Sequence, residues 1–310
     1  MTTLVSLQNV RRSFGDVVAV DGLSLDLQAG EILGLYGPSG SGKTTTIRLM
    51  LGVYLPTSGS AEILGVPSKR LSSRQRQQIG YGPQQFIYPP TFTAHEAVSF
   101  AAGLYGLGWW RARGAVRSVL EKVALWEKRN RTVNDMSGGE RRRVTNAAAL
   151  VHQPRVTFLD EPTSGLDPIL RARTWSWLRE LRDQGHTFLI TGHYLEEAEA
   201  CDRLALLVNG RLAALGPPLE LRRQALGGEV VEVKVSGSLG ATLDELKQLS
   251  LVRGVRIHGP GRIWVTVPEA GPAVPIIVER LQAANVEVEA ANEVHPPFDE
   301  IFEQLVGEHV

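Results

Sequence analysis

The run Gly37-Pro38-Ser39-Gly40-Ser41-Gly42-Lys43-Thr44 constrains this chain more than any other segment, because that pattern has meaning only between a buried strand and a helix. Ile32 to Tyr36 before it is a continuous apolar run, as expected of a strand covered on both faces, and Thr45 to Leu51 after it reads as a helix. Glycines let successive backbone N–H groups converge on phosphate oxygens, and the helix N-terminus adds positive potential. Lys43 can reach outer phosphates, and the Thr44 hydroxyl can ligate Mg²⁺. A flexible Gly/Ser turn would share the bare pattern, but Lys43 argues against it. A cation in the first turn of a helix opposes the dipole by about 0.3–1 kcal/mol unless an anion reverses the sign. The expectation is a nucleotide phosphate site formed by Gly37 through Thr44 together with Thr45.

Val156 to Leu159 and Thr187 to Ile190 repeat the apolar pattern, so three buried strands with helical segments between them imply a mainly parallel sheet. Leu4 to Val10 and Val17 to Leu27 instead alternate apolar and polar side chains, which predicts half-buried strands in an antiparallel layer. Helical periodicity from Thr93 to Arg129 predicts an insert within the α/β core. A double glycine at Gly227-Gly228 is followed by strand, helix, two strands, helix and strand, the split βαβ order of a ferredoxin-like module. The fold class expected is therefore α/β: a P-loop NTPase core with an antiparallel β subdomain and a helical insert at about 90–150, spanning 1–226. A small C-terminal α+β ferredoxin-like module follows over 229–310.

Composition narrows the partners. The 310 residues carry 33 basic and 33 acidic side chains, giving no overall pull toward nucleic acid, and no nucleic-acid partner is expected. From Glu229 onward the count is 13 acidic against 6 basic, which supports a boundary at the double glycine. The only cysteine, Cys201, cannot form an internal disulfide and suits a reducing compartment. No stretch reaches the roughly 18 apolar residues that a membrane span requires, so a cytoplasmic chain is expected.

Arg155 to Glu161 reads as a buried strand ending in two carboxylates, which side-chain alternation aims in different directions. Asp160 is then placed to hold Mg²⁺ and Glu161 to polarise an attacking water. Met136-Ser137-Gly138-Gly139-Glu140 precedes a helix, with Ser137 as its natural N-cap. The N–H groups of that helix start, with the Ser137 hydroxyl, could hold a terminal phosphate, or the segment could be a cap alone.

The ordered set of phosphate loop, Met-Ser-Gly-Gly-Glu with Ser137 94 residues beyond Lys43, Phe158-Leu159-Asp160-Glu161-Pro162, Ser164-Gly165-Leu166-Asp167 and His193 resembles the ABC ATPase family from about Leu4 to Glu220. The resemblance implies ATP and Mg²⁺ as ligands and a head-to-tail dimer, in which Ser137, Gly138 and Gly139 of one subunit close on the γ-phosphate held by the other. It puts Phe14 against adenine, Gln84 as a sensor of Mg²⁺ and γ-phosphate, Asp167 in the loop coupling the sites, and His193 as the γ-phosphate switch. Taken alone, Phe14 would read as core, Gln84 as solvated and His193 as a satisfied strand-end histidine. Met136 stands where leucine is commoner, and Glu140 where glutamine is usual; neither change removes a phosphate donor.

The segment His193 to Glu199, the C-terminal module and the ending Phe298 to Leu305 resemble bacterial exporters of the daunorubicin-resistance type. That implies an ATPase peripheral on the cytoplasmic face of the membrane, paired with a separate integral permease and a second ATPase subunit, a homodimer being expected, and moving a drug, lipid or polysaccharide. Without the resemblance, the last helix is an amphipathic cap. Permease contact is expected on the helical insert and after Gln84, where Phe86, Ile87, Tyr88, Pro89, Pro90 and Phe92 gather, unless these bury within the subdomain. The rivals are a non-transport ATPase of the same superfamily and a nucleotide-gated regulator. The first would carry two cassettes or a long coiled coil, and neither is present.

Overall fold

β1 (Thr3–Phe14) and β2 (Val17–Gln28) form an antiparallel hairpin with Leu7 opposite Leu25 and Val5 opposite Leu27. Val5, Leu7 and Val10 face Leu23, Leu25 and Leu27 in one buried layer, so the period-two alternation of the sequence becomes one wet and one dry face. The computed structural model describes residues 2–236 and 242–306. β3 (Ile32–Tyr36) is buried at all five positions and runs through the glycine loop into α1 (Lys43–Met50). β4 (Ser58–Ile63) pairs antiparallel with β1, and β5 (Val66–Pro67) with β4, completing a sheet of order β2-β1-β4-β5.

The short α2 (Ser73–Arg76) leads to β6 (Ile79–Gly82). The helical insert follows as α3 (Ala94–Leu104), α4 (Trp109–Lys122) and α5 (Gly138–Leu150). Thr93 and Glu96 cap the start of α3 reciprocally, while Ala97, Val98 and Ala101 turn its apolar stripe inward. β7 (Val156–Asp160), α6 (Pro168–Asp183), β8 (Thr187–Gly192), β9 (Arg203–Val208) and β10 (Arg211–Gly216) complete a six-stranded sheet of order β10-β9-β3-β8-β7-β6. Its pairs β9/β3, β3/β8, β8/β7 and β7/β6 are parallel. Tyr36 lies opposite Gly192, and Asp160 opposite Thr191, so the carboxyl ends of three neighbouring strands open onto one edge. That edge is where open α/β sheets bind ligands.

The chain divides into two units between Leu215 and Gly216. In the second, α7 (Pro218–Leu226) is followed by β11 (Glu229–Ser236), α8 (Thr242–Lys247), β12 (Gly254–Gly259), β13 (Arg262–Val267), α9 (Ala270–Ala283), β14 (Glu287–Val294) and α10 (Phe298–Val306). The sheet order β12-β13-β11-β14, antiparallel throughout, matches the split βαβ arrangement. Helix α7 belongs to this unit, because Arg222 lays its guanidinium 4.6 Å over the Phe298 ring and donates to the Pro296 carbonyl at 2.9 Å. The division therefore precedes α7 rather than falling at the double glycine. Phe298 and Ile301 are buried, giving α10 its inner face.

Neighbouring isoleucines on α9 test this packing. Ile277 is 0% exposed and Ile276 is 43% exposed. Ile277→Ala should destabilise the protein by about 2–5 kcal/mol, measured as a lower urea midpoint at constant slope, while Ile276→Ala should stay within about 0.5 kcal/mol.

Candidate functional site

Helix α1 starts at Gly42, which lies in the left-handed region at φ 102° and offers no side-chain cap. The N–H groups of Lys43, Thr44 and Thr45 therefore have no intrahelical acceptor and point out of the helix start. Glycine is required in this loop by space as well as conformation. A Cβ at Gly37 would stand 2.1 Å from the Leu207 carbonyl oxygen, and one at Gly42 2.4 Å from that of Ala19. Lys43 is buried and curls over its own loop, its Nζ donating to the carbonyls of Gly37 at 2.7 Å and Pro38 at 3.0 Å. Burial pulls its pKa down, while the carboxylates of Glu161 and Asp160 oppose that shift.

Those carboxylates leave the end of β7 by different routes. Asp160 is almost wholly buried; its Oδ2 accepts from the Thr44 hydroxyl at 2.9 Å and its Oδ1 from the Thr191 hydroxyl at 2.6 Å. Glu161 turns into the left-handed region at φ 56°, which a side-chain-bearing residue rarely adopts, and its N–H donates to Thr191 Oγ1 at 3.0 Å. That turn takes its carboxylate out of the strand line, to 2.5 Å between Oε1 and His193 Nε2. Strand alternation predicts the divergence of the pair; the left-handed corner accomplishes it.

A cleft of about 250 Å³ results, lined by Ser39, Gly40 and Gly42 to Thr45 of the loop, with Ala19, Gln84, Glu161 and His193. Free N–H groups, a lysine and the two carboxylates at the end of β7 suit a polyphosphate with a divalent cation. Among the described residues no three His, Cys, Asp or Glu side chains gather where they could hold a metal ion.

Other residues singled out from the sequence lie elsewhere. Phe14 does not line the cleft; its ring is half-exposed, with the Arg12 guanidinium 4.4 Å above it and Tyr54 edge-on at 5.2 Å. Ser137 caps α5, accepting from the Glu140 N–H at 3.2 Å while Glu140 returns an acceptor to the Ser137 N–H at 2.9 Å. Glu140 is buried beside Lys128 at 2.6 Å and Arg131 at 3.6 Å, and the Lys128 hydrogen bond leads in holding its carboxyl down to about 2. Gly139 sits against the following loop, since a Cβ there would approach the Gly165 carbonyl oxygen to 2.7 Å. Asp167 is exposed and caps α6 through the Leu170 N–H at 3.0 Å. Ser137, Gly138, Gly139 and Asp167 are thus outside the cleft, with Ser137 and Gly138 open to solvent.

Two residues of the site escape sequence reading. Thr191, within an apolar strand, looks like a β-branched filler yet orients both carboxylate-bearing residues. Arg142 looks like part of a solvated basic run, but its guanidinium donates to the carbonyls of Pro83 at 2.8 Å, Gln84 at 2.5 Å and Asp160 at 3.1 Å.

A family profile described as ABC transporter matches residues 20–164. The Nod factor export ATP-binding protein I of Burkholderia lata is 41% identical over 230 residues, covering 74% of this chain and 76% of that protein. Its counterpart in Ralstonia nicotianae is 34% identical over 310 residues, 99% of this chain and 94% of its own. The linearmycin resistance ATP-binding protein LnrL of Bacillus subtilis is 31% identical over 306 residues, 98% of each. Among solved structures, the ATP binding subunit of an ABC transporter superposes with a TM-score of 0.66 at 27% identity, over 72% of this chain and 93% of that one. A dimeric post-hydrolysis cassette bound to ADP and Pi superposes with 0.64 at 28% identity, over 69% and 98%.

Thr191→Val would leave the buried Asp160 Oδ1 without its hydroxyl donor and take away an acceptor of the Glu161 N–H. A loss of about 1–3 kcal/mol is expected in urea unfolding, with Thr191→Ser close to the parent.

Proposed function

The chain belongs to the ABC transporter ATP-binding family, and we propose that its cleft holds the phosphates of ATP while Glu161 activates the attacking water. It is an ATPase and the ATP-binding subunit of a transporter, related to exporter ATPases; transport rather than nucleotide-gated regulation is its role. The observation that carries the site reading is Glu161 paired with His193 at 2.5 Å on the wall of the cleft that contains Lys43.

The N–H groups from Gly40 to Thr45, with the backbone of Gly37, Pro38 and Ser39, cradle the phosphates, and Lys43 exchanges its Gly37 and Pro38 carbonyl acceptors for outer phosphate oxygens. Thr44, Asp160 and Gln84 would hold Mg²⁺, which would offset the negative charge of the β- and γ-phosphates. Glu161 draws a proton from the water that attacks the γ-phosphorus, and His193 steadies that carboxylate and contacts the terminal phosphate. Phe14 takes the adenine, competing with Arg12 for its ring face.

ATP-binding subunits of this family work as dimers beside a membrane permease. Here the partner is a second copy whose Ser137, Gly138 and Gly139 close on the γ-phosphate, with Asp167 linking the two sites. In support, the start of α5 is exposed and lies outside the cleft of its own chain. Ser137 can cap and bind at once, because its oxygen accepts from Glu140 while its hydroxyl proton stays available to a phosphate.

The permease contact rests on exposed apolar side chains of the loop after Gln84 and of the helical insert: Ile87 at 66%, Leu104 at 68%, Trp109 at 66% and Trp110 at 78%. Phe86 and Tyr88 are only half-exposed and pack edge to face at 5.4 Å, so they shape the loop more than they present it. Among the described residues no helix is long and apolar enough to cross a membrane, which suits a subunit seated on the cytoplasmic face beneath a separate pore. The cargo belongs to the class of drugs, lipids or polysaccharides; relatives named for Nod factor export and linearmycin resistance support that range.

Glu161→Gln should keep ATP binding, lower turnover by about 10²–10⁴-fold, and accumulate an ATP-bound dimer on size exclusion; full turnover would overturn the site reading. Ile87→Ala with Trp110→Ala should reduce co-purification with the permease while ATP binding stays at the parent level. Undiminished co-purification would move the contact elsewhere.

A further inference from the structure

Arg142 lies on α5 about one turn beyond the Ser137-Gly138-Gly139 start, and its guanidinium reaches two segments that a surface arginine would not reach. Nη1 donates to the carbonyls of Pro83 at 2.8 Å and Asp160 at 3.1 Å, and Nη2 to that of Gln84 at 2.5 Å. The first and third acceptors belong to the loop after β6, the second to the end of β7. Burial draws the guanidinium pKa down, while the Glu161 and Asp160 carboxylates oppose that shift, so the cation is held beside the cleft's acidic wall. Its neighbour Arg143 turns the other way, to the carbonyls of Val123 at 2.7 Å and Ala124 at 3.0 Å, and ties α5 to the end of α4. In the run Arg141-Arg142-Arg143, Arg142 is therefore the residue tied to both Gln84 and Asp160.

The geometry points to Arg142 as a positioning residue that couples the two ATP sites of the dimer. This rests on the reading that the start of α5 binds the partner's γ-phosphate. A helix is stiff over the few residues from Ser137 to Arg142, a rise of about 7.5 Å. A shift of its start on phosphate docking moves the guanidinium as one body with it. Three hydrogen bonds from the guanidinium to main-chain carbonyls carry that shift to Gln84, a proposed Mg²⁺ and γ-phosphate contact, and to the Asp160-Glu161 corner in the chain's own cleft. Occupation of one site thereby adjusts the water-activating geometry of the other. A planar fork with several fixed donors suits this task; an ammonium concentrates its donors at one point and cannot span the same three carbonyls.

The test uses the full-length dimer and compares the parent with Arg142→Gln, Arg142→Lys and Glu161→Gln. Steady-state hydrolysis against ATP concentration gives kcat and the Hill coefficient, and Mg²⁺-free binding of a fluorescent ATP analogue reports the phosphate loop alone. The parent should show a Hill coefficient above one. Arg142→Gln should bring it to one and lower kcat by about tenfold, with analogue affinity within about twofold of the parent. Arg142→Lys should behave like Arg142→Gln, because charge without the fork does not restore the three bonds. If a variant folds less efficiently, the active fraction falls but the Hill coefficient of what remains does not, so cooperativity still decides. A parent coefficient of one, an unchanged coefficient in Arg142→Gln, or full rescue by lysine each overturns the coupling role. Full activity in Glu161→Gln overturns the underlying site reading, so the two failures are distinguishable.

Discussion

Lys43 puts an ammonium into the first turn of α1, where the helix dipole repels it and no side chain caps the N-terminus. Within the chain it is tolerated because the Gly37 and Pro38 carbonyls accept its protons and the Asp160 and Glu161 carboxylates supply opposite charge. Each support has its own requirement. The loop keeps its course only with glycine at 37 and 42, where a Cβ would collide with the Leu207 and Ala19 carbonyls. The carboxylates stand close only because β7 lies beside β8, which lies beside β3, in parallel register. Loop, sheet order and acidic corner therefore form one electrostatic unit, and in the proposed binding mode ATP phosphates supply the anion that this helix start lacks.

Four other helix starts of the first unit are closed in a contrasting way. α2, α3 and α5 carry reciprocal capping boxes from Ser72 with Gln75, Thr93 with Glu96 and Ser137 with Glu140, while α6 is capped by Asp167. Each of these helices satisfies an early N–H group from its own sequence, whereas α1 has no side-chain cap. Start α5 combines both habits, since the cap uses one face of the Ser137 oxygen and leaves its proton and the open glycine backbone available. Glu140 completes its box as a carboxylate, and Lys128 and Arg131 stand beside it to balance its buried charge.

Much of this was legible in the sequence because the physics is local. Continuous apolar runs marked β3, β7 and β8, alternation marked β1 and β2, and the βαββαβ order of the second unit followed from periodicity alone. Strand β6 was not legible: its Gly80 and Gly82 are needed because a Cβ would meet the Ala149 carbonyl oxygen at 2.4 Å and the Leu159 side chain at 2.9 Å, and glycine weakens any strand signal. Phe86 and Tyr88 looked like a docking surface, yet they partly cover each other, which only tertiary packing decides. Thr191 and Arg142 were invisible for the same reason. Their partners lie 18 to 59 residues away, and neither residue type at its position departs from what a strand interior or a basic helix face ordinarily holds.

The left-handed backbone at Glu161 has a consequence for how this protein changes under mutation. Glycine would occupy that corner without the steric penalty that a Cβ incurs, so the fold by itself prefers a residue with no carboxylate there. With Glu161 in its proposed water-activating role, heat tolerance and turnover are opposed at a single codon. A screen that rewards thermal survival alone would then drift toward sturdier molecules that bind nucleotide and no longer spend it, with selection on transport keeping the strained residue in place.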